Sequence, residues 1–387
     1  MATVYSLKNK AVTSFVQYNT NDDEMCSDSG DYVFQIDVSI EGTKLGASLS
    51  DNSITVCDSS SLVAVNKING HSGTINGIEF SKTSPNMLYS CSNDKSVCLW
   101  DIRCTTSGPI IKVLYPEEVT GMSVSISDSL LAAGVESSVV FHDIRGCSIA
   151  GNAKGYRQLG SYADAHSDVI TQLQFSKQHP QLLTSASEDG LLCVFNTAAV
   201  EQEEAIISVL NTECPIRKFG YFGGDDDGIY ALSTIETASI WHHPSAQRLA
   251  NFSSIRDDLT MNYLIDCVYS ADSDVLWLLA GDYSGSAVIS RLEPSGATVV
   301  GQLPADVGHV STVRCCSLVA SGNGNIGSSN SLSCPTGRLF TGGEDSRICQ
   351  WSASSTVPAA SCSSNNSGSG SLKASKKSSN AIRHSPY

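Results

Sequence analysis

The sequence predicts an all-β fold, a ring of seven four-stranded blades, and three observations carry that prediction. One set of residues recurs at fixed offsets, the ends of the repeated units fall mostly 42 to 53 residues apart, and turn-forming residues arrive about every ten positions. Four short strands in roughly 40–45 residues is the arithmetic of a β-propeller blade. An ordinary β-sandwich would not repeat at one long period.

The clearest copies begin at two histidines. His71 is followed by Ile75, Phe80, Pro85, Ser90, Asp94 and Trp100; His166 is followed at the same offsets by Ile170, Phe175, Pro180, Ser185, Asp189 and Phe195. A third copy starts at Gly308-His309 and continues through Val313, Thr341, Asp345 and Trp351. Its aspartate stands 36 rather than 23 positions after the histidine, and the excess fits an inserted loop over 321–335, which is rich in Ser, Gly and Asn.

Weaker copies fill the gaps. Asn52 to Asp58 ends the first unit, Val139 to Arg145 the third, Ser239 to His242 the fifth, and Gly281 to Ser290 the sixth. With ends near 58, 101, 143, 196, 242, 290 and 352 the count is seven. Inside a unit the pattern is that of antiparallel strands: Ile75 to Phe80 alternates, Ser92-Asn93-Asp94-Lys95 is a tight polar turn, and Val97 to Trp100 is a short apolar run.

Composition narrows the function. Hydrophobic residues make up 41% of 387, enough for a sizeable core, and charged residues only 16%, against about 25% in an average soluble protein. The net charge is −15, so dedicated nucleic-acid binding, which needs clustered Lys and Arg, is disfavoured. No uninterrupted apolar stretch follows Met1, and runs such as Val275 to Ala280 fall far short of the ~20 residues a membrane span requires. The expectation is a protein without a membrane partner, cytoplasmic and/or nuclear, and monomeric on its own. The fourteen cysteines show no zinc or redox spacing. Cys98, Cys193 and Cys349 each stand two residues before an aromatic, the behaviour of a small buried hydrophobe in equivalent strands.

Gly70-His71, Ser90, Asp94 and Trp100-Asp101 resemble the Gly-His … Trp-Asp signature of the WD-repeat family. The resemblance covers about residues 12 to 352; it is specific in units two, four and seven and degenerate in the others. It implies a seven-bladed WD-repeat β-propeller in which His71, Ser90, Asp94 and Trp100, then His166, Ser185 and Asp189, then His309, Thr341, Asp345 and Trp351 form structural hydrogen-bonded tetrads, the middle one cut short by Phe195. A Ser-His-Asp catalytic reading fails because the set recurs, whereas a triad needs one cleft with one activated nucleophile. The resemblance also implies that an N-terminal strand near 11–18 closes the last blade. The expected layout is a propeller over 1–352 and a disordered, Ser-rich basic tail over 353–387, with Lys373, Lys376, Lys377 and Arg383 and no acid. Asp225-Asp226-Asp227 lacks the alternating spacing of a calcium loop and reads as an exposed acidic hairpin tip.

No phosphate loop, metal set or isolated acid–base pair appears, so no catalytic residue, cofactor or metal ligand is assigned. The leading expectation is a non-catalytic scaffold that docks proteins or peptides on its rim and faces. The family resemblance places partner contacts on the narrow face at two positions after each repeat's histidine and one before its aspartate: Thr74, Asn76 and Asn93; Val169, Thr171 and Glu188; Thr312, Arg314 and Glu344. A second expectation follows from Trp100-Asp101-Ile102-Arg103, which resembles the Trp-Asp-x-Arg box of substrate receptors for cullin-based ubiquitin ligases; Arg103, with Arg145 in a degenerate copy, would then meet the ligase adaptor. A ribosome-assembly or nuclear scaffold is the third.

Overall fold

The computed structural model describes residues 5–6, 8–14, 30–104, 108–150, 153–199, 201–319 and 337–352. The inserted loop at 321–335, the tail at 353–387 and positions 15–18 of the expected closing strand lie outside these residues.

The strands assemble into seven antiparallel sheets. Blade 1 runs Val33–Val38, Lys44–Leu49, Ile54–Asp58 and Ala64–Ile68 from its inner to its outer strand; blade 2 runs Ile75–Phe80, Met87–Ser92, Ser96–Asp101 and Ile111–Leu114. Blade 3 spans Val119 to Tyr162, blade 4 Ile170 to Asn211, blade 5 Ile216 to Phe252 and blade 6 Tyr263 to Leu303. Blade 7 takes three strands, Val313–Val319, Arg338–Gly343 and Arg347–Ser352, from the end of the described chain. Its fourth is Lys8–Ser14, paired antiparallel with Arg347–Ser352 from Lys8↔Ser352 to Ser14↔Arg347. That strand begins three residues before the predicted 11–18. Lys8 and Lys10 masked its start from a reading based on apolar runs, yet charge is well tolerated on a rim strand. Tyr5–Ser6 goes further and adds to blade 6, in parallel with Gly301 and Gln302.

Burial explains why the repeat is obligatory. There is no single core. Seven apolar clusters each lie between two neighbouring blades, from Ile54, Val56, Phe80 and Trp100 between blades 1 and 2 to Val33, Leu45, Phe340 and Ile348 between blades 7 and 1. One blade alone leaves both of its faces uncovered, so only the closed ring removes them from water. The repeated cysteines serve this packing: Cys98, Cys193 and Cys349 are buried, and burial pushes the Cys98 thiol up to about 11 and that of Cys193 up to about 12.

The innermost strands carry a feature absent from the sequence reading. Each has one edge facing the axis, and in blades 2, 3, 4, 5 and 7 side chains from the preceding blade occupy its backbone groups. Gln35 Oε1 accepts from Ile78 N at 3.0 Å and Asp37 Oδ2 from Phe80 N at 2.6 Å. Glu79 Oε2 accepts from Val124 N at 3.0 Å, and Ser123 Oγ from Phe175 N at 3.1 Å. Gln172 uses both ends of its amide on Phe219, accepting from N at 3.0 Å and donating to O at 3.1 Å. The Tyr263 hydroxyl continues the pattern to Val313 N at 2.8 Å. Each stitch satisfies a backbone group that the sheet cannot reach.

A second device locks the ends where first and second strands turn. Asp226 is only 6% exposed, and its Oδ2 accepts from Ser176 Oγ, Lys177 N and Gln178 N at 2.8 to 3.1 Å. This corrects the expected exposed tip: Asp225 is exposed, but Asp226 turns inward to clasp blade 4. Asp128 does the same to Lys82 and Thr83 of blade 2. Both aspartates hold positive φ, 55° and 48°, a conformation that short polar side chains tolerate better than most.

Candidate docking face

The tetrads stand where sequence reasoning placed their members. In blade 2, His71 Nδ1 lies 2.9 Å from Asp94 Oδ2 and Nε2 lies 2.7 Å from Ser90 Oγ, which accepts from Trp100 Nε1 at 2.7 Å. The carboxylate can only accept, so Nδ1 carries the proton and Nε2 accepts from the serine. Blade 7 repeats the chain through Asp345, His309, Thr341 and Trp351 at 2.8 to 2.9 Å. In blade 4, Asp189, His166 and Ser185 connect at 3.0 and 2.6 Å, and the chain stops there because Phe195 has no donor.

The residue before each histidine fits the aromatic it faces. A Cβ on Gly70 would sit 2.6 Å from the Trp100 ring, and one on Gly308 2.4 Å from the Trp351 ring. Blade 4 has the smaller Phe195, and there the position is Ala165. The Gly-His pair is thus a packing consequence of the indole.

Electrostatics keep the networks of blades 2 and 4 in one protonation state. Burial alone would raise Asp94, but hydrogen bonds from Ser96, His71 and Ser72 outweigh it and hold the carboxyl at about 2. Burial holds the imidazoles of His71 and His166 below their ordinary value, against the pull of Asp94 and Asp189. An ionised aspartate facing a neutral histidine is the state that satisfies every member.

These carboxylates also bind backbone: Asp94 accepts from Ser72 N at 3.1 Å, Asp189 from Ser167 N at 3.0 Å, and Asp345 from Val310 N at 2.8 Å. The loop entering each blade is thereby pinned to the turn between its second and third strands. The nine sequence-predicted contact residues sit on that junction. Asn93 N donates to Thr74 O at 3.0 Å, Glu188 N to Val169 O at 3.0 Å, and Glu344 N to Thr312 O at 2.9 Å. Asn76 bonds Asn93 and, at 2.8 Å, the Val119 carbonyl of the next blade. Arg314 pairs with Glu344, whereas Glu188 is exposed and takes part in none of the ion pairs among the described residues. The Thr171 hydroxyl is buried without a hydrogen-bond partner.

Arg103 and Arg145 lie at the opposite ends of the strands. Each folds back on the aspartate two residues earlier in the same two-pronged way: Nε donates to Oδ1 at 2.8 and 2.9 Å, and Nη2 to Oδ2 at 2.6 Å in both. Their side chains are 63% and 71% exposed.

Seven blades, a strand-sealed ring and the Asp-His-Ser/Thr-Trp chain define a seven-bladed WD-repeat propeller. The chain belongs to the WD-repeat family. Residues 62–101 and 157–196 match the family model described as WD domain, G-beta repeat. WD repeat-containing protein GTS1 of Arabidopsis thaliana is 31% identical over 363 residues, covering 90% of this chain and 84% of that protein. The WD repeat-containing protein 89 homolog of Dictyostelium discoideum is 26% identical over 297 residues, covering 75% and 79%. Among solved structures, a chain of the mitotic checkpoint complex aligns over 90% of this chain and 92% of its own length with a TM-score of 0.65; at 14% identity it supports the fold alone. Propellers of this family generally serve as protein-interaction scaffolds.

Proposed function

We propose that this chain is a non-catalytic platform that docks polar peptide segments of other proteins on the face carrying the loop-and-turn junctions of blades 2, 4 and 7. The observation that supports this most is the identical locking of those junctions. In each, one backbone hydrogen bond and one buried carboxylate fix the residues from which the contact side chains project. Side chains held this way lose little entropy on binding. Arg314 is neutralised by Glu344 and Glu188 is not, so the face prefers a ligand with a cation near blade 4. The test is a combined Arg314→Glu and Glu188→Lys variant, read by quantitative cross-linking and affinity capture. It should melt like wild type and lose most captured partners; an unchanged capture profile overturns the reading.

A second reading, receptor for a cullin-ligase adaptor, is supported by the matched exposure and geometry of Arg103 and Arg145 on adjacent blades. Arg103→Ala with Arg145→Ala should abolish binding to the purified triple-propeller adaptor without moving the melting temperature. Failure of the wild-type protein to bind that adaptor removes this reading.

A further inference from the structure

Outer strands of blades present an open edge, and such edges recruit other strands unless charge, proline or a covering segment blunts them. Five outer strands here carry Lys or Arg: Lys67 in blade 1, Lys112 in blade 2, Lys154 and Arg157 in blade 3, Arg248 in blade 5, and Lys8 and Lys10 in the strand that completes blade 7. The outer strand of blade 6, Gly296–Leu303, carries none, and Tyr5–Ser6 pairs along its edge. Blade 4 is the exception. Its outer strand, Ile206–Asn211, has no charge, proline or glycine, and among the described residues it pairs only with Leu191–Asn196.

Apart from Asn211 at its end, its exposed side chains are aliphatic. Ser208 and Leu210 turn inward, while Ile206, Ile207 and Val209 are 38%, 48% and 44% exposed. Carboxylates bracket the strand: Glu201, Glu203 and Glu204 are exposed before it, and Glu213 after it. Of these four only Glu213 meets a cation among the described residues, Arg248 at 3.3 Å. The bulge opposite Val194 and Phe195 makes Ile207 the extra residue and leaves Ser208 to Asn211 as the regular run.

We propose that the outer edge of blade 4 is a docking site for an extended segment of a partner protein, added as a fifth strand. Aliphatic residues at alternate positions would pack on Ile207 and Val209, and flanking Lys or Arg would meet Glu203, Glu204 and Glu213. Backbone pairing supplies affinity and alternate side chains supply selection, as in other strand additions. Blade 6 shows that a blade edge of this ring accepts such a strand. A second copy of the chain is the wrong occupant, because antiparallel self-pairing would bring Glu203 and Glu204 of one copy towards Glu213 of the other, like charge on like. This site is on the rim and does not depend on the junction face proposed above.

The test uses the full chain and a fluorescein-labelled peptide, Arg-Lys-Val-Thr-Val-Thr-Val-Lys, with two controls: its cations replaced by Glu, and alternate amides N-methylated. The basic peptide should bind and protect the amides of 206–211 from hydrogen exchange. Val209→Lys, N-methylation and replacement of the peptide's cations should each weaken binding by at least about tenfold, because main-chain pairing, apolar contact and charge all contribute. Glu203→Lys with Glu204→Lys should weaken it several-fold and flatten its salt dependence. A wild-type protein that ignores the peptide, equal binding by Val209→Lys at an unchanged melting temperature, or a concentration-dependent dimer abolished by Val209→Lys overturns the proposal, the last by making a second copy the occupant.

Discussion

Arg338 in blade 7 holds Gly42 in blade 1: its Nη2 donates to the Gly42 carbonyl at 2.6 Å. Nη1 of the same guanidinium donates to Ser59 Oγ at 3.0 Å and Ser59 O at 3.2 Å, and the guanidinium carbon stands 5.6 Å from the centroid of the Phe340 ring. One side chain thus spans the seam at which the ring closes.

Arg338→Ala should therefore weaken the seam, removing the donor to the Ser59 carbonyl and leaving the Gly42 carbonyl with the Ser59 hydroxyl alone, at a cost of about 1–3 kcal/mol. Arg338→Lys should recover only part of it, since an ammonium lacks the planar fork. Urea denaturation gives the magnitude. Hydrogen exchange should rise selectively in 39–60 and 338–352, and uniform exchange would show that Arg338 is not a latch.

Asp94→Ala should destabilise the protein by roughly 1–3 kcal/mol, because it strips His71 and Ser72 of an acceptor. Asp189→Ala should cost less, since the blade 4 chain ends at Ser185. Equal melting temperatures for wild type and Asp94→Ala would remove the structural role assigned to the tetrad.

Packing against the indoles gives a sharper contrast. Gly70→Ala and Gly308→Ala should each cost about 1–3 kcal/mol by overpacking Trp100 and Trp351. Ala165→Gly, at the equivalent place beside Phe195, relieves no clash and should bring no gain in melting temperature. Losses of the same size at all three positions would contradict the fit of residue to ring.

The networks also set a pH dependence. His71 and His166 have folded pKa values below the ordinary imidazole value of ~6.5, so they favour the fold most when neutral. Their contribution is complete above that value and is lost as pH falls below it, because the unfolded chain takes up protons first. Asp94, at about 2 against an ordinary 3.8, adds stability above about pH 4 that is lost as pH falls toward 2. Calorimetry should show a melting temperature that declines below about pH 6.5 and more steeply below pH 4. A rise between pH 7 and pH 5 would mean that the histidines are charged in the fold.

The tetrads were legible because His71, Ser90 and Asp94 have few chemical substitutes and recur at fixed offsets. The stitches around the axis were not. Gln35, Glu79, Ser123 and Gln172 perform one task with three kinds of side chain, and nothing local marks a residue whose partner lies a whole blade away. Asp226 was hidden by its neighbours, since three consecutive aspartates look alike until the turn points one inward. The closing strand starts three residues before the expected 11–18, because a rim strand with lysines lacks the apolar pattern that defines a buried one.

The pairing of Lys8–Ser14 with Arg347–Ser352 has a consequence for synthesis. Strands that leave the ribosome early must wait, unpaired, until those hundreds of residues later emerge before the last blade can form. Blades 1 to 5 take all their strands from consecutive stretches of chain and can form in order as they appear, whereas the seam is available only at the end. In that interval the early strands are exposed to whatever binds nascent chains, and the seam, not any blade, is where translation speed and chaperone occupancy would decide the yield of closed rings.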